Sequence, residues 1–327
     1  MAKSIARVVA MFMLMMTALV PVAAAQDATP AASPVATPVV APGTGAAVEW
    51  LVSQQQEDGS WLGFSGDPDV GTTIDAVVAL VAAQEGDLDT GDSIDKAIAY
   101  LDGTDATAEY ATSGPGAAAK LVLLLVAVGD EDMEIGGTAP LEIVLEGLDA
   151  DTNLYGASLY DHSYALMALA VTDSEVPAEA ISVLETMQAD NGGFAWDGST
   201  DASMADSNTT AMLVQALVAL GEGDSQVVAK AIDFVKLTVN EQGAAYSVGA
   251  EADANSTALV AQALIAVGED ATHLQSALGT FQNANGAYHW MHSDVTDNSF
   301  TTVQVIPAGV GVVLPVVPGE TALDIAA

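Results

Sequence analysis

The chain contains no cysteine. That excludes disulfides, thiolate metal sites and a lipidated cysteine anchor. Basic residues are nearly as scarce, with six Lys and Arg against 44 Asp and Glu. Lys3 and Arg7 fall within the first 25 residues, and beyond them the chain keeps four lysines, no arginine and a net charge of −40. A surface that negative repels nucleic acid and anionic lipid. A diphosphate cleft would also lack its usual Arg and Lys clamps. Aromatic residues make up only 5%, so a cavity walled by aromatic faces that steady cations has little to draw on. The apolar stretch Ile306 to Val317 is short and interrupted by Pro307 and Pro315, which reads as a packed tail rather than a membrane anchor.

At the N-terminus, Lys3 and Arg7 precede an apolar run, Val8 to Val20, and Ala23-Ala24-Ala25 follows with small residues suited to cleavage. This pattern predicts a signal peptide over residues 1–25, cut near Ala25-Gln26, and a secreted or extracytoplasmic protein with no membrane span in its mature form. Residues 26–45 are rich in Pro, Ala and Thr, a composition that cannot build a core and predicts an extended linker. Hydrophobic residues nevertheless reach 51% of the chain, enough for one large domain.

Repetition organises the remainder. Gln55, three residues, Gly59, one residue, Trp61 recurs as Gln188, Gly192, Phe194 and as Gln282, Gly286, Tyr288. Asn240-Glu-Gln-Gly243-Ala-Ala-Tyr246 is a looser copy. Such spacing marks stacked supersecondary units. Six amphipathic outer helices are predicted at Ala46–Gln56, Ser93–Leu101, Pro140–Leu148, Ala178–Ala189, Gln226–Val239 and Thr272–Gln282. Six more uniformly apolar inner helices follow them at Thr72–Gln84, Gly116–Val128, His162–Val171, Asn208–Leu220, Ser256–Val267 and Ser299–Val313. Pro307 is expected to kink or end the last. The pattern predicts an all-α fold, a closed α/α toroid (α6/α6 barrel) of six helix-pair repeats over residues 46–313, with 314–327 as a tail. An open solenoid is the alternative.

Trp50-Leu51, three residues, Gln55, three residues, Gly59, one residue, Trp61 resembles the repeat motif of the squalene cyclase and prenyltransferase repeat families, whose fold is an α/α toroid. Ala46 stands where that motif prefers a basic residue. The resemblance covers about residues 46 to 310. The cyclases it points to protonate an alkene with Asp-x-Asp-Asp, and here the nearest strings, Asp130-Glu-Asp132-Met133 and Asp149-Ala-Asp151-Thr152, lack the last acid. The prenyltransferases need Cys and a basic pocket, and toroidal thioester proteins need Cys. The secreted cobalamin carriers use a similar toroid, and their inner helices open with Asp and Thr, as do Asp206-Ser-Asn208-Thr209 and Asp253-Ala-Asn255-Ser-Thr257 here.

The motif residues Trp50, Gln55, Gly59, Trp61, Gln188, Gly192, Phe194, Gln282, Gly286 and Tyr288 are read as structural staples. Gln is placed to bond a neighbouring helix end, Gly to make the turn, and the aromatic to pack over it. Asp206, Asn208, Asp253, Asn255 and Asp297 suit helix N-caps. Because inner-helix N-termini of a toroid share one mouth, the same residues with His162 and Trp196 form the candidate ligand rim. Asp197 and Asp201, beside Asp206, are candidate Ca²⁺ ligands, and His289 and His292 candidate metal ligands, although neither spacing matches a known metal motif. No other cofactor is expected. The function expected is a monomeric, non-enzymatic toroid binding a small molecule or exported macromolecule at that mouth. A cyclase-like or prenyltransferase-like enzyme with an atypical acid and a structural envelope protein are the alternatives.

Overall fold

The computed structural model describes residues 40–130 and 132–320. The predicted signal peptide and cleavage site and residues 26–39 of the predicted linker lie outside the described residues, as do residues 321–327 of the predicted tail.

The inner helices are α2 (Val70–Glu85), α5 (Pro115–Val128), α7 (Leu159–Val171), α9 (Ser207–Ala219), α11 (Ala254–Ala266) and α13 (Ser299–Val310). Each packs on the next, and α13 packs back on α2, so the ring closes. The outer helices are α1 (Thr44–Ser53), α3 (Ser93–Gly103), α6 (Pro140–Leu145), α8 (Ala178–Met187), α10 (Gln226–Thr238) and α12 (Thr272–Leu278). Short α4 (Asp105–Ala111) is an addition that the periodicity did not predict. The strands are pairs of two-residue segments, Trp61–Leu62 with Pro68–Asp69 and Val239–Asn240 with Gly243–Ala244. Apolar character on nearly every side forces a helix inside, and every residue of α9 except Asn208 is buried. Pro307 neither ends nor precedes the end of α13 by one residue. The helix runs three residues past it and stops at Gly311, whose φ of 75° is a left-handed C-cap.

One hydrogen-bond pattern ties the turn to its inner helix in four of the six repeats. The backbone N–H of Trp61, Phe194, Ala244 and Tyr288 donates to Thr73, Thr210, Thr257 and Thr302 Oγ1 at 2.9–3.0 Å. Each threonine hydroxyl in turn donates to the carbonyl of its N-cap residue, Asp69, Asp206, Asp253 or Asn298. Gln55, Gln188 and Gln282 link consecutive outer helices. Their Nε2 atoms donate to the carbonyls of Ser93, Val227 and Gly43 at 2.8–2.9 Å, and also to Gly59, Gly192 and Gly286 in their own turns. Gly59, Gly192 and Gly286 sit at φ of 95°, 89° and 96°. A Cβ on any of them would strike a backbone carbonyl of the adjoining outer helix.

Beyond Gly311 the chain turns back and plugs the ring. Gln215 of α9 accepts from the Leu314 N–H at 2.9 Å, and Gln262 of α11 donates to the Val312 carbonyl at 3.1 Å. Val313 and Val316 are buried. Among the described residues no helix is long and apolar enough to cross a membrane.

Candidate functional site

Residues from all six inner helices and from the plug enclose a cavity of about 240 Å³. Most of its wall is apolar, from Ile74, Val78, Leu123, Met212, Leu259 and Val303 to Leu314, Pro315 and Val316. One sector differs. Asp75 of α2, Lys120 of α5 and Tyr164 of α7 stand together there, and Tyr160 lines the cavity one turn earlier on α7. Lys120 Nζ lies 2.6 Å from Asp75 Oδ1, with side chains 16% and 27% exposed. The ammonium also sits 5.7 Å from the centre of the Tyr164 ring, within cation–π range. Burial works against the Lys120 charge, but Asp75 and the neighbouring tyrosines outweigh it and hold its pKa above that of an ordinary lysine. Burial pushes the Tyr164 hydroxyl up to about 12 and raises Tyr160 well above its usual range, so both are neutral hydrogen-bonding groups. Gln262 and Gln304 also line the cavity. Gln262 is engaged by Val312 and Gln304 by Asn255.

The residues expected at the mouth are placed as follows. His162 is fully buried and occupies the position, four residues past the N-cap, that threonine holds in four other repeats. Its Nδ1 accepts from the Tyr155 N–H at 3.1 Å, and its Nε2 reaches the Ala180 carbonyl of α8 at 2.9 Å. It therefore ties inner to outer helix and does not reach the rim. Burial lowers its pKa to about 4, against a smaller opposing effect of the Ala180 carbonyl. Asp206 and Asp253 are buried N-caps, bonded to the N–H and hydroxyl of Thr209 and of Ser256. Burial raises both carboxyls, and these hydrogen bonds oppose the rise. Asn208 accepts from the Ser207 hydroxyl. Asn255 is buried, donating to Gln304 Oε1 at 2.6 Å and accepting from Thr301. Asp297 is exposed and holds the side-chain amides of Asn283 and Asn285. None of these residues, nor Trp196, lines the cavity.

Trp196 is half exposed, as are Tyr246 and Trp290 at equivalent places in later repeats. Their carbonyls accept from Leu159, Ser207 and Ala254, the first residues of the preceding inner helices, at 2.8–2.9 Å. An aromatic rim thus surrounds the N-terminal ends of α7, α9 and α11.

Asp197 and Asp201 fold onto the backbone of Ser199 and Ser203, while Asp206 is buried at its cap. His289 and His292 have ring centres 6.0 Å apart, and His292 stacks on Phe281 at 4.2 Å. His289 Nδ1 pairs with Asn283 Oδ1, which leaves its buried Nε2 without a partner. Among the described residues no three His, Cys, Asp or Glu side chains gather as a metal-binding group.

The sequence reading missed the Asp75–Lys120–Tyr164 sector. A signal for it was present, since Lys120 is the one lysine within a predicted inner helix.

Solved structures resemble the whole ring. The type II terpene cyclase MstE from Scytonema aligns with a TM-score of 0.58 at 14% identity, over 82% of this chain and 96% of that one. The GH76A α-1,6-mannanase of a Salegentibacter species aligns at 0.59 and 11%, over 82% and 98%. A protein from Actinoplanes aligns at 0.58 and 15%, over 82% and 98%. The fold is a terpenoid-cyclase-like α/α toroid. No protein-family model matches the chain, and no curated protein matches it by sequence.

Proposed function

We propose that this chain is a secreted toroid that holds a small molecule in its central cavity and does not convert it. The observation that carries this reading is the pairing of Asp75 with Lys120 inside an otherwise apolar well. A pocket of apolar walls with a few converging polar groups is the usual form of a small-molecule site. A shielded ion pair is poor at adding stability, so its placement facing the cavity fits a role in recognition.

The same pair argues against chemistry of the kinds the structural neighbours carry out. An acid that protonates an alkene must present its proton, and Asp75 instead commits an oxygen to the Lys120 ammonium. Glycoside hydrolysis uses two carboxyl groups flanking the bond, and Asp75 is the one carboxylate among the described residues lining the cavity. The aromatic rim of Trp196, Tyr246 and Trp290 offers an apolar approach to the mouth.

Native mass spectrometry of the protein purified from its own host tests the reading, and a retained small molecule is the expected result. Incubation with squalene and shorter polyprenes should return them unchanged. A cyclic product would replace this reading with that of a cyclase using an atypical acid.

A further inference from the structure

Three features of the cavity constrain its occupant. The first is size. A dry cavity of about 150 Å³ accommodates benzene, so one of about 240 Å³ takes a body of about ten non-hydrogen atoms in proportion. The second is charge. Asp75 and Lys120 already neutralise each other at 2.6 Å. An anionic ligand would leave a carboxylate facing Asp75, and a cationic one an ammonium facing Lys120. Either places an uncompensated charge in a shielded, largely apolar well. The net charge of −40 beyond the leader adds a long-range penalty against anions.

The third is hydrogen bonding. Among the described residues no protein group accepts from the hydroxyl of Tyr160 or Tyr164, although both side chains line the well. Gln262 and Gln304 each commit one half of their amide, Nε2 to the Val312 carbonyl and Oε1 to the Asn255 amide. The unpaired phenol of Tyr164 thus stands beside Asp75 and Lys120, the charged groups that line the well among the described residues. Much of the remaining wall is apolar, with Met212, Leu259, Leu314, Pro315 and Val316. A ligand matching this layout has one polar end and one apolar end. Its polar end both donates and accepts, because Tyr164 and Lys120 offer N–H and O–H while Asp75 offers an oxygen.

We infer that the cavity takes a neutral alcohol with a compact aliphatic body of about ten non-hydrogen atoms, its hydroxyl set among Asp75, Lys120 and Tyr164 and its body against the C-terminal plug. The inference rests on the cavity-binding reading above and adds the ligand class to it.

A matched series tests it on the purified wild-type protein: octan-1-ol, octanoate and octylammonium at pH 7 and equal free concentration. Octan-1-ol should bind one per chain by calorimetry. It should raise Tm saturably, by about 3 °C when present at roughly tenfold its Kd, and each ion should give less than about a third of that shift. The variant Tyr164→Phe, which keeps the ring and removes the hydroxyl, should weaken octan-1-ol about fivefold to tenfold, the loss expected for one hydrogen bond. Tighter binding of octanoate or octylammonium would overturn the neutral-headgroup assignment and leave the cavity reading standing. An unchanged octan-1-ol affinity in Tyr164→Phe would overturn the seat given to the hydroxyl. If none of the three binds while native mass spectrometry retains a ligand, the alcohol class fails alone. If none binds and nothing is retained, both readings fail.

Discussion

Gln282 Nε2 donates to the Gly43 carbonyl at 2.8 Å across 239 residues of sequence. The same bond joins Gln55 to Ser93 and Gln188 to Val227 over fewer than 40 residues. In the last repeat it spans the seam where the end of the ring meets its beginning, so a device that elsewhere links successive outer helices here closes the toroid.

Gln282→Ala should therefore differ in kind from Gln188→Ala. Each loses two hydrogen bonds, all half-buried except the exposed one to the Gly43 carbonyl, worth about 1–3 kcal/mol in all. The seam variant should in addition show faster amide exchange in α1 and α12, the two outer helices that this bond joins and that no short loop connects. Equal exchange profiles for the two variants would count against seam closure by this bond.

Trp61→Ala should destabilise by about 3–5 kcal/mol. Its side chain is 1% exposed, and its indole N–H donates to the Leu51 carbonyl at 2.9 Å. Guanidinium unfolding of the variant measures the loss, and an unchanged midpoint would contradict the packing described.

His162 predicts a pH dependence. Its folded pKa is about 4 against 6.5 when unperturbed. Between those values the unfolded chain binds a proton there and the folded chain does not. Its contribution is therefore fully present above pH 6.5 and is lost as pH falls toward 4, to the extent of roughly 3 kcal/mol. The buried Asp206 and Asp253 have raised pKa values and act in the opposite direction, as does relief of the net negative charge. The difference between wild type and His162→Thr isolates the histidine. Threonine restores the staple of the other repeats and does not titrate, so the wild type should lose stability relative to the variant over that window.

Lys120→Met should cost about 2–3 kcal/mol by leaving Asp75 without its cation, somewhat less than for a wholly buried pair. The double variant Asp75→Leu with Lys120→Met should recover most of that loss. A double-mutant cycle in denaturant reads the coupling, and a double variant as unstable as the single one would remove the argument that the pair serves recognition.

Thermal stability should rise with NaCl between low and moderate concentration, since exposed charges are screened over a Debye length of about 8 Å at physiological ionic strength. CaCl₂ at matched ionic strength should do no more. A saturable extra stabilisation that disappears in Asp201→Asn would reveal a specific cation site in the Asp197–Asp201 loop.

Periodicity alone made the ring legible. Apolar character on most sides of residues such as Ala211 to Leu217 leaves a helix nowhere to be but inside, and the spaced Gln, Gly and aromatic residues mark each turn. Two things at the level of single elements were not legible. Pro307 lies within α13, which continues three residues past it to Val310. The plug itself has no periodic pattern, and only the bonds from Gln215 and Gln262 place it.

The candidate site divides in the same way. Sequence by itself determined the all-α helix-pair repeats and the stapled turns and placed Asp206 and Asp253 at helix N-termini, because these follow from local spacing and backbone chemistry, whereas closure of the ring was decided by the packing of α13 on α2. Tertiary structure decided what faces the hollow. His162 has the residue type of a ligand but the register of a threonine staple, four residues past its N-cap, and so points outward to Ala180. Asp75, Lys120 and Tyr164 come from three helices and share no local motif. They converge because ring closure turns one face of each inner helix toward the same axis, and a charge there is satisfied only by a partner on the neighbouring helix.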